Sequence, residues 1–275
     1  MGFCILFLRP TWLKIPWTPL ALIGTAVAFV IGFQNNAAYG RIWEARKIWG
    51  GIVNSSRTFG MFVQDMVNNE HTSENVSQEE LNKEIKIITY PYISKEDIDY
   101  LKNKSNKQTA LLYLQSHHIK SLKDKGIIWE FSFIELENLL KEFFTLQGKS
   151  ERIKNFPYPR QFATLNHFFM WTFVLLLPLS LVPQFAEIGV SFAESNQVIS
   201  KLFIWFTIPF YVIVSWVFHT MERIGRTGEN PFEGTANDVP ISTISRGIEI
   251  DLRQNLGESE EDIPKQFTVK FDTQF

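Results

Sequence analysis

The sequence predicts an all-α membrane protein whose long helices continue from the membrane into the cytosol. Three observations lead to this fold class. Apolar segments cover residues 19–33, 162–182 and 202–218. The chain between Gln64 and Asn155 is charged and contains no long apolar run. No stretch of useful length alternates between apolar and polar residues, as a half-buried β-strand would.

The three apolar segments differ in length. Residues 19–33 are fifteen residues, which as a helix measure about 22 Å. A spanning helix needs about 20 residues, so this segment suits a position among other helices better than one in lipid. The other two segments are twenty-one and seventeen residues long and contain Pro178 and Pro209, respectively. Membrane helices tolerate proline where neighbours satisfy the freed carbonyls, so both segments are predicted to span.

The distribution of basic residues predicts the topology. The connection over residues 183–200 contains Glu187 and Glu194 but neither Lys nor Arg. The outer flanks of the two longer segments carry the basic residues Lys149, Arg152, Lys154, Arg160, Arg223 and Arg226. Because Lys and Arg collect on the cytoplasmic side, these segments form a hairpin whose loop faces away from the cytosol. The first segment runs inward towards Arg41.

These features divide the chain into four parts. Residues 1–33 form an N-terminal membrane part, 34–160 a cytosolic helical region, 161–219 a transmembrane hairpin, and 220–275 a cytosolic C-terminal segment and tail. Within the cytosolic region, residues 130–144 place Phe133, Leu136, Leu140 and Phe143 at helical spacing. We therefore expect a multi-pass protein of the plasma or bacterial inner membrane, embedded in a lipid bilayer, with the bulk of the chain in the cytosol.

Composition and motifs exclude several functions. The 27 basic residues are balanced by 29 acidic ones, which gives no reason to expect nucleic-acid binding. Cys4 is the single cysteine, so an internal disulfide framework is excluded. His219 and Glu222 could share one helical face, but one such pair lacks the second pair that a dicarboxylate iron site requires. Phosphate-binding loops, nucleophile elbows and HExxH motifs are absent from the sequence. We expect no enzyme, no cofactor and no metal site.

Thr25, Phe29 and Phe33 form one stripe on the first apolar segment. Their spacing of i, i+4 and i+8 places them on one helical face. Such a stripe commonly packs against neighbouring helices. It could also form a hydrophobic constriction, in which rings from several subunits meet and control hydration. Spacing alone leaves both interpretations open.

Residues 32–50 (GFQNNAAYGRIWEARKIWG) follow this apolar segment without a break. Their tryptophans and basic residues are typical of a membrane exit on the cytoplasmic side. The stretch closely resembles the bacterial pattern of the bestrophin family of ion channels, in which an apolar helix runs into Gly-Phe-Arg-Asn, then Arg-x-x-Glu-Ala-Arg and Trp-Gly. The matching motif residues are Arg41, Glu44, Arg46 and Trp49.

Two further stretches carry the resemblance. Residues 229–240 (ENPFEGTANDVP) are similar to the family's Asn-Pro-Phe and Asn-Asp-x-Pro turn after the last membrane helix. The matching residues are Asn230, Pro231, Phe232 and Asp238. A weaker match is residues 156–159 (FPYP), where the family has an Ile-Pro-like stretch just before its third membrane helix. The two stronger motifs lie in different halves of the chain, which makes the resemblance specific.

The resemblance implies a homopentamer of mostly helical subunits around one central pore that passes monovalent ions. The family's neck residues lie on the second membrane helix, and by position they correspond to Thr25, Phe29 and Phe33. The family's second, cytosolic constriction corresponds to the region of Phe156 and Tyr158. Animal relatives are calcium-gated anion channels, whereas some bacterial relatives pass monovalent cations, so ion selectivity stays open.

The resemblance also bears on calcium. The animal branch binds calcium with consecutive acidic residues just after Asn-Pro-Phe. Residues 233–238 (EGTAND) of this chain contain only two carboxylates, Glu233 and Asp238, five residues apart. Calcium requires several oxygen ligands at once. We therefore expect no gating by micromolar calcium, and we expect Asp238 to fix a turn after the helix that ends at Asn230-Pro231-Phe232.

The chain departs from the family pattern in two places. Only residues 1–8 correspond to the family's complete first membrane helix. The family also has an Arg-His-Ile-Ala-Trp-like helix where this chain passes from residues 87–90 to Pro91.

There are two alternatives to a channel. A membrane transporter, or a scaffold without an aqueous pore, is the first. A transporter would favour ionisable groups at mid-membrane, and residues 19–33 contain none. A soluble helical protein, extracted without detergent, is the second.

Overall fold

The computed structural model describes residues 14–72, 76–89, 94–156, 158–191, 197–235 and 237–269. These residues form helices and their connections, with one isolated antiparallel bridge between Val67 and Ile128. The prediction of an all-α fold is confirmed. Residues 1–8, which include Cys4, lie outside the described residues, as do Tyr90 and Pro91.

Nine α-helices occur among the described residues. They are α1 (Trp17–Met66), α2 (Gln78–Thr89), α3 (Lys95–Lys102), α4 (Lys107–Asp124), α5 (Glu130–Asn155), α6 (Arg160–Ser191), α7 (Gln197–Phe203), α8 (Thr207–Thr227) and α9 (Ile241–Asn255). A short 3₁₀ turn over Ile204–Phe206 joins α7 to α8.

Helix α1 contains both the first apolar segment and the aromatic, basic stretch that follows it. It is a single helix of 50 residues. Its one proline, Pro19, lies in the first turn, where a backbone N–H would have no intrahelical acceptor. No proline interrupts the remainder, so the expected continuation of the apolar helix through Arg41 is found.

Helix α6 is longer than the sequence predicted. It continues through both Pro178 and Pro183 as far as Ser191. The expectation that the connecting loop begins at residue 183 is therefore wrong. Apolar helices accommodate internal prolines when neighbouring groups satisfy the freed carbonyls. Part of the connection, residues 192–196 with Glu194, lies outside the described residues.

The third apolar segment is divided between two helices. The 3₁₀ turn over Ile204–Phe206 separates α7 from α8, and α8 begins at Thr207. Pro209 consequently falls in the first turn of α8, where its missing N–H is tolerated. The segment Gln197–Thr227 is nevertheless helical throughout, so the expected helix over residues 202–218 is found, with a local 3₁₀ turn shortly before Pro209.

Three helical segments are long and apolar enough to cross a membrane by length and composition. They are Trp17–Met66, Gln161–Ser191 and Gln197–Thr227. They contain the three apolar segments found in the sequence. The four-part division by membrane placement stays a prediction.

The helices group into two compact units. The first comprises the described residues within Met1–Ile42 and Pro157–Asn230, and the second those within Trp43–Phe156 and Pro231–Phe275. In the first unit, one face of α1 packs on α6 to form the core. Its buried members are Leu20, Val27, Ile31, Met170, Phe173, Val174, Leu177 and Leu181.

The second unit has its own hydrophobic core. Helix α5 contributes Leu136 and Leu140, both almost fully buried, and Phe133 and Phe143 pack against the same cluster. The amphipathic pattern over residues 130–144 therefore predicted the buried face of α5 correctly. Val63 of α1 and Ile119 and Leu122 of α4 are fully buried in this core.

Candidate functional site

The stripe of Thr25, Phe29 and Phe33 lies on the exposed face of α1. Phe29 is 65% exposed and Phe33 is 69% exposed. The Thr25 hydroxyl donates to the carbonyl of Ala21 at 2.9 Å, within the helix. Beside the stripe, a Cβ added to Gly32 would meet no heavy atom within 4 Å. This face is open in the subunit.

The opposite face of α1 is closely packed. Leu20, Val27 and Ile31 are at most 3% exposed. A Cβ added to Gly24 would come within 2.6 Å of the Phe173 ring, so only glycine allows this approach of α1 to α6. The helix thus buries one face within the subunit and presents the predicted neck stripe on the other.

A chain of buried and partly buried hydrogen bonds begins one residue after this stripe. Gln34 and Asn166 are each 1% exposed. The Asn166 side-chain amide donates to Gln34 Oε1 at 2.8 Å, and Gln34 Nε2 donates to Glu229 Oε1 at 3.0 Å. Arg41 Nε donates to the carbonyl oxygen of Glu229 at 2.7 Å. These bonds connect α1 to α6 and to the end of the α8 segment.

Four residues of the first motif have different environments. Arg41 binds the Glu229 carbonyl as described, and Glu44 forms an ion pair with Arg152 of α5. Both partners of that pair are substantially exposed, so it contributes at most about 1 kcal/mol. Arg46 is exposed, whereas Trp49 packs against a buried cluster that includes Ala45 and Ile48.

Asp238 organises the turn after Pro231. Its Oδ2 accepts hydrogen bonds from the backbone N–H of Glu233 at 2.9 Å and of Thr235 at 2.8 Å. Its Oδ1 accepts the Thr235 hydroxyl at 2.8 Å. Asp238 is 6% exposed, and Gly234 adopts a φ of 81°, which favours glycine. Both carboxylate oxygens are therefore engaged inside the turn.

The Asn-Pro-Phe motif contains the sequence boundary between the two compact units. Asn230 is the last residue of the first unit's second segment, and Pro231 is the first residue of the second unit's second segment. The carbonyl of Pro231 accepts the N–H of Val239 at 3.1 Å, which closes the turn. Phe232 packs against the cluster that includes Val239. Among the described residues, no group of three or more His, Cys, Asp or Glu side chains could hold a metal ion.

The proposed cytosolic constriction is only partly described. Phe156 caps the C-terminal end of α5 and is 73% exposed. Tyr158 is partly buried and its ring lies 6.2 Å from that of Phe162. Pro157 between them lies outside the described residues. Of the two predicted residues, Phe156 presents the exposed ring.

One ionic cluster in the first unit was not predicted. Glu222, 2% exposed, contacts His167 Nδ1 at 3.1 Å and Arg226 at 2.7 Å. His219, which the sequence placed beside Glu222, instead packs its ring against Trp171. In the sequence, the polar residues Asn166 and His167 within an apolar run were the only indication of this cluster. Their hydrogen-bond partners could not be identified from it, because they lie 55 or more positions away.

Comparison with known proteins assigns the family. The model of a family described as Bacterial/Fungal Bestrophin protein matches residues 3–254. The chain belongs to the bestrophin family. The resemblance found in the motifs is therefore confirmed.

Relatives of this bestrophin cover most of its length. The voltage-dependent anion channel-forming protein YneE of Escherichia coli O157:H7 is 23% identical over 276 residues, covering 94% of this chain and 84% of the relative. The protein of that name from Salmonella typhi is 25% identical over 264 residues, covering 92% and 80%.

Solved structures share the fold. A bacterial bestrophin homolog from Klebsiella pneumoniae, solved by Zn-SAD phasing, superposes with a TM-score of 0.69 at 20% identity, covering 90% of this chain and 89% of that one. A variant of that homolog superposes with a TM-score of 0.72 at 20% identity, covering 89% and 87%.

The Asp238 turn leads to a stability prediction. Replacing Asp238 with Ala removes the acceptor of two backbone N–H groups and should lower the free energy of unfolding by roughly 1–3 kcal/mol. Asp238→Asn retains one side-chain acceptor and should lose less. Denaturant unfolding of the detergent-solubilised protein, followed by tryptophan fluorescence, measures both. The exposed acid Glu260 supplies the control, Glu260→Ala, and equal losses in the two alanine variants would contradict this role of the turn.

Proposed function

We propose that this bestrophin is the subunit of a homopentameric channel that conducts monovalent ions through a hydrophobic neck formed by Thr25, Phe29 and Phe33. The observation that carries the proposal is the exposure of Phe29 and Phe33 on a helix whose opposite face is buried. Large apolar side chains that are exposed in an isolated subunit usually contact another subunit or the membrane. Around a central axis, five copies of this face would enclose a dry constriction.

The environment of α1 supports a pore rather than a transporter. Its apolar part, residues 19–33, contains no ionisable side chain, whereas transport sites usually place ionisable groups or broken helices at mid-membrane. Selectivity in such a neck depends on the cost of dehydrating the ion and on charges at the pore mouths. The relatives from Escherichia coli and Salmonella are named as anion channel-forming proteins, so small anions are the first class to test.

The proposed location is the cell membrane, with a multi-pass topology and most of the chain in the cytosol. Three apolar helical segments support insertion into the membrane. The absence of Lys and Arg from residues 183–200, between basic flanks, supports an outward-facing hairpin loop.

Planar bilayer recordings under a salt gradient test this function. We expect ionic currents with a reversal potential displaced from zero, whose sign identifies anions or cations as the permeant species. Purified protein that produces no current in either direction would contradict the proposed channel.

The oligomeric state is predicted to be five. The uncharged face of α1 is better shielded inside an oligomer than in contact with lipid headgroups or water. Native mass spectrometry of the detergent-solubilised protein should give a mass of five chains, and a stable monomer or dimer would contradict the assembly.

Phe29 is predicted to narrow the pore. Phe29→Ala removes one ring from every subunit and should wet the neck, which raises single-channel conductance or open probability. The matched control is Phe168→Ala, because Phe168 of α6 is similarly exposed at 61% but does not lie on α1. If both variants behave like the unmodified channel after correct assembly, the stripe is a packing surface.

Calcium at micromolar concentration is predicted not to gate the channel. Both oxygens of Asp238 are already engaged by Glu233 and Thr235, and a calcium site needs six to eight oxygen ligands. Bilayer currents are recorded while free calcium is stepped from chelated to micromolar levels. Reversible activation would overturn the prediction and make Glu233 and Asp238 candidate ligands.

A further inference from the structure

We propose that Gln34 is a positioning residue for the neck, and that its hydrogen bonds to Asn166 and Glu229 hold α1 in the rotation that keeps Phe33 in the constriction. This inference rests on the proposed channel function. It concerns how the neck is regulated and assigns Gln34 no contact with the permeating ion.

Gln34 is placed so that it must move together with the neck stripe. It follows Phe33 directly, so the two side chains point about 100° apart around α1. Phe33 is 69% exposed and Gln34 is 1% exposed. Any rotation of α1 that moves the Phe33 ring must also move the Gln34 amide within its buried site.

Both the oxygen and the nitrogen of the Gln34 side-chain amide form hydrogen bonds. Oε1 accepts from Asn166 at 2.8 Å, and Nε2 donates to Glu229 at 3.0 Å. Hydrogen bonds are directional and weaken steeply when misaligned, whereas contacts between apolar side chains can slide. The amide bridge therefore resists rotation of α1 in a way that its apolar contacts do not.

The C-terminal end of α8 approaches α1 closely next to these hydrogen bonds. A Cβ added to Gly225 would collide with Asn35 Oδ1, and one added to Gly228 would lie 3.0 Å from the Ala38 Cβ. Two turns after Gln34, Arg41 Nε holds the Glu229 carbonyl at 2.7 Å. Glu229 is thus bound to α1 both through its side chain and through its backbone.

Charge supplies a specific test. In Gln34→Glu, the new carboxylate would face the carboxylate of Glu229 at hydrogen-bond distance. The two can form a hydrogen bond only if one of them takes up a proton. The double variant Gln34→Glu, Glu229→Gln exchanges amide and acid. It restores the order of donors and acceptors, because the new carboxylate at position 34 can accept from the Asn166 amide and from the new amide at position 229.

The experiment measures open probability in bilayers between pH 5 and pH 8. At pH 8, Gln34→Glu should raise open probability at least about threefold, the equilibrium shift that corresponds to roughly 0.6 kcal/mol for one interhelical hydrogen bond. This rise in open probability should disappear at lower pH, where a proton binds between the carboxylates at positions 34 and 229. The double variant should stay within about twofold of the unmodified channel throughout.

Other titrating groups are controlled in the same measurement. Arg41 binds the Glu229 backbone, and His167, next to Asn166 in sequence, faces Glu222 and Arg226. All of these are present in every variant, so the profile of the unmodified channel accounts for them. The control Gln254→Glu makes the same change of amide to acid at an exposed position of α9, and its open probability should follow that of the unmodified channel at every pH.

A second variant and a second measurement complete the experiment. If Gln34→Glu does not assemble, Gln34→Asn withdraws the same amide by one methylene and should raise open probability at every pH. Unchanged or lowered open probability in assembled Gln34→Glu or Gln34→Asn overturns the proposal. Thermal unfolding of the same proteins tests the hydrogen bond between positions 34 and 229 separately from conduction. If none of the proteins conducts, the channel assignment fails. If the double variant nevertheless regains the stability that Gln34→Glu loses, the hydrogen bond itself is supported.

Discussion

The packing of α1 on α6 is the interaction on which the first compact unit depends. Leu20, Val27 and Ile31 supply one face of α1, and Phe173 closes over Gly24. Within a bilayer, lipid tails are as apolar as these side chains, so association of helices depends on close van der Waals contact and on interhelical hydrogen bonds. Close approach at glycine and the buried amides of Gln34 and Asn166 supply both.

The same packing determines which part of α1 is left uncovered. A helix that commits residues 20, 27 and 31 to α6 must present Thr25, Phe29 and Phe33 on its other side. The exposed aromatic rings are thus a consequence of how the opposite face is used. In the proposed neck, the rings of Phe29 and Phe33 would lie on a helix whose position is set by contacts on its opposite face.

Three buried polar groups of the first unit lie near the ends of its apolar segments. Gln34, Asn166 and Glu222 are each at most 2% exposed, and each has hydrogen-bond partners on another element. Buried groups of this kind are costly unless satisfied. The hydrogen bonds of Gln34, Asn166 and Glu222 fix the positions of α6 and α8 relative to α1 and to each other. At the start of the C-terminal segment, Asp238 stabilises a turn by accepting hydrogen bonds at both carboxylate oxygens.

Much of the secondary structure could be predicted because apolar periodicity and helix-compatible composition are local properties. The helix through residues 19–41, the buried face of α5 and the three apolar segments follow from them. The ends of α6 and α8 could not be predicted in the same way. A proline is tolerated in the interior of an apolar helix and also in the first turn of a helix. The sequence alone therefore does not show whether α6 ends before Pro183 or continues through it, nor where a turn of 3₁₀ geometry precedes Pro209. The packed structure shows both.

That Thr25, Phe29 and Phe33 share one face can be read from the sequence alone, because the helical repeat is a property of the backbone. The family can be read from the sequence as well, through motifs that keep their order and spacing. The exposure of this face, and the hydrogen bond from Gln34 to Glu229, 195 positions away, could be seen only in the folded chain. Helical periodicity orders residues around one axis, whereas burial and hydrogen bonding depend on which helices come to lie beside it.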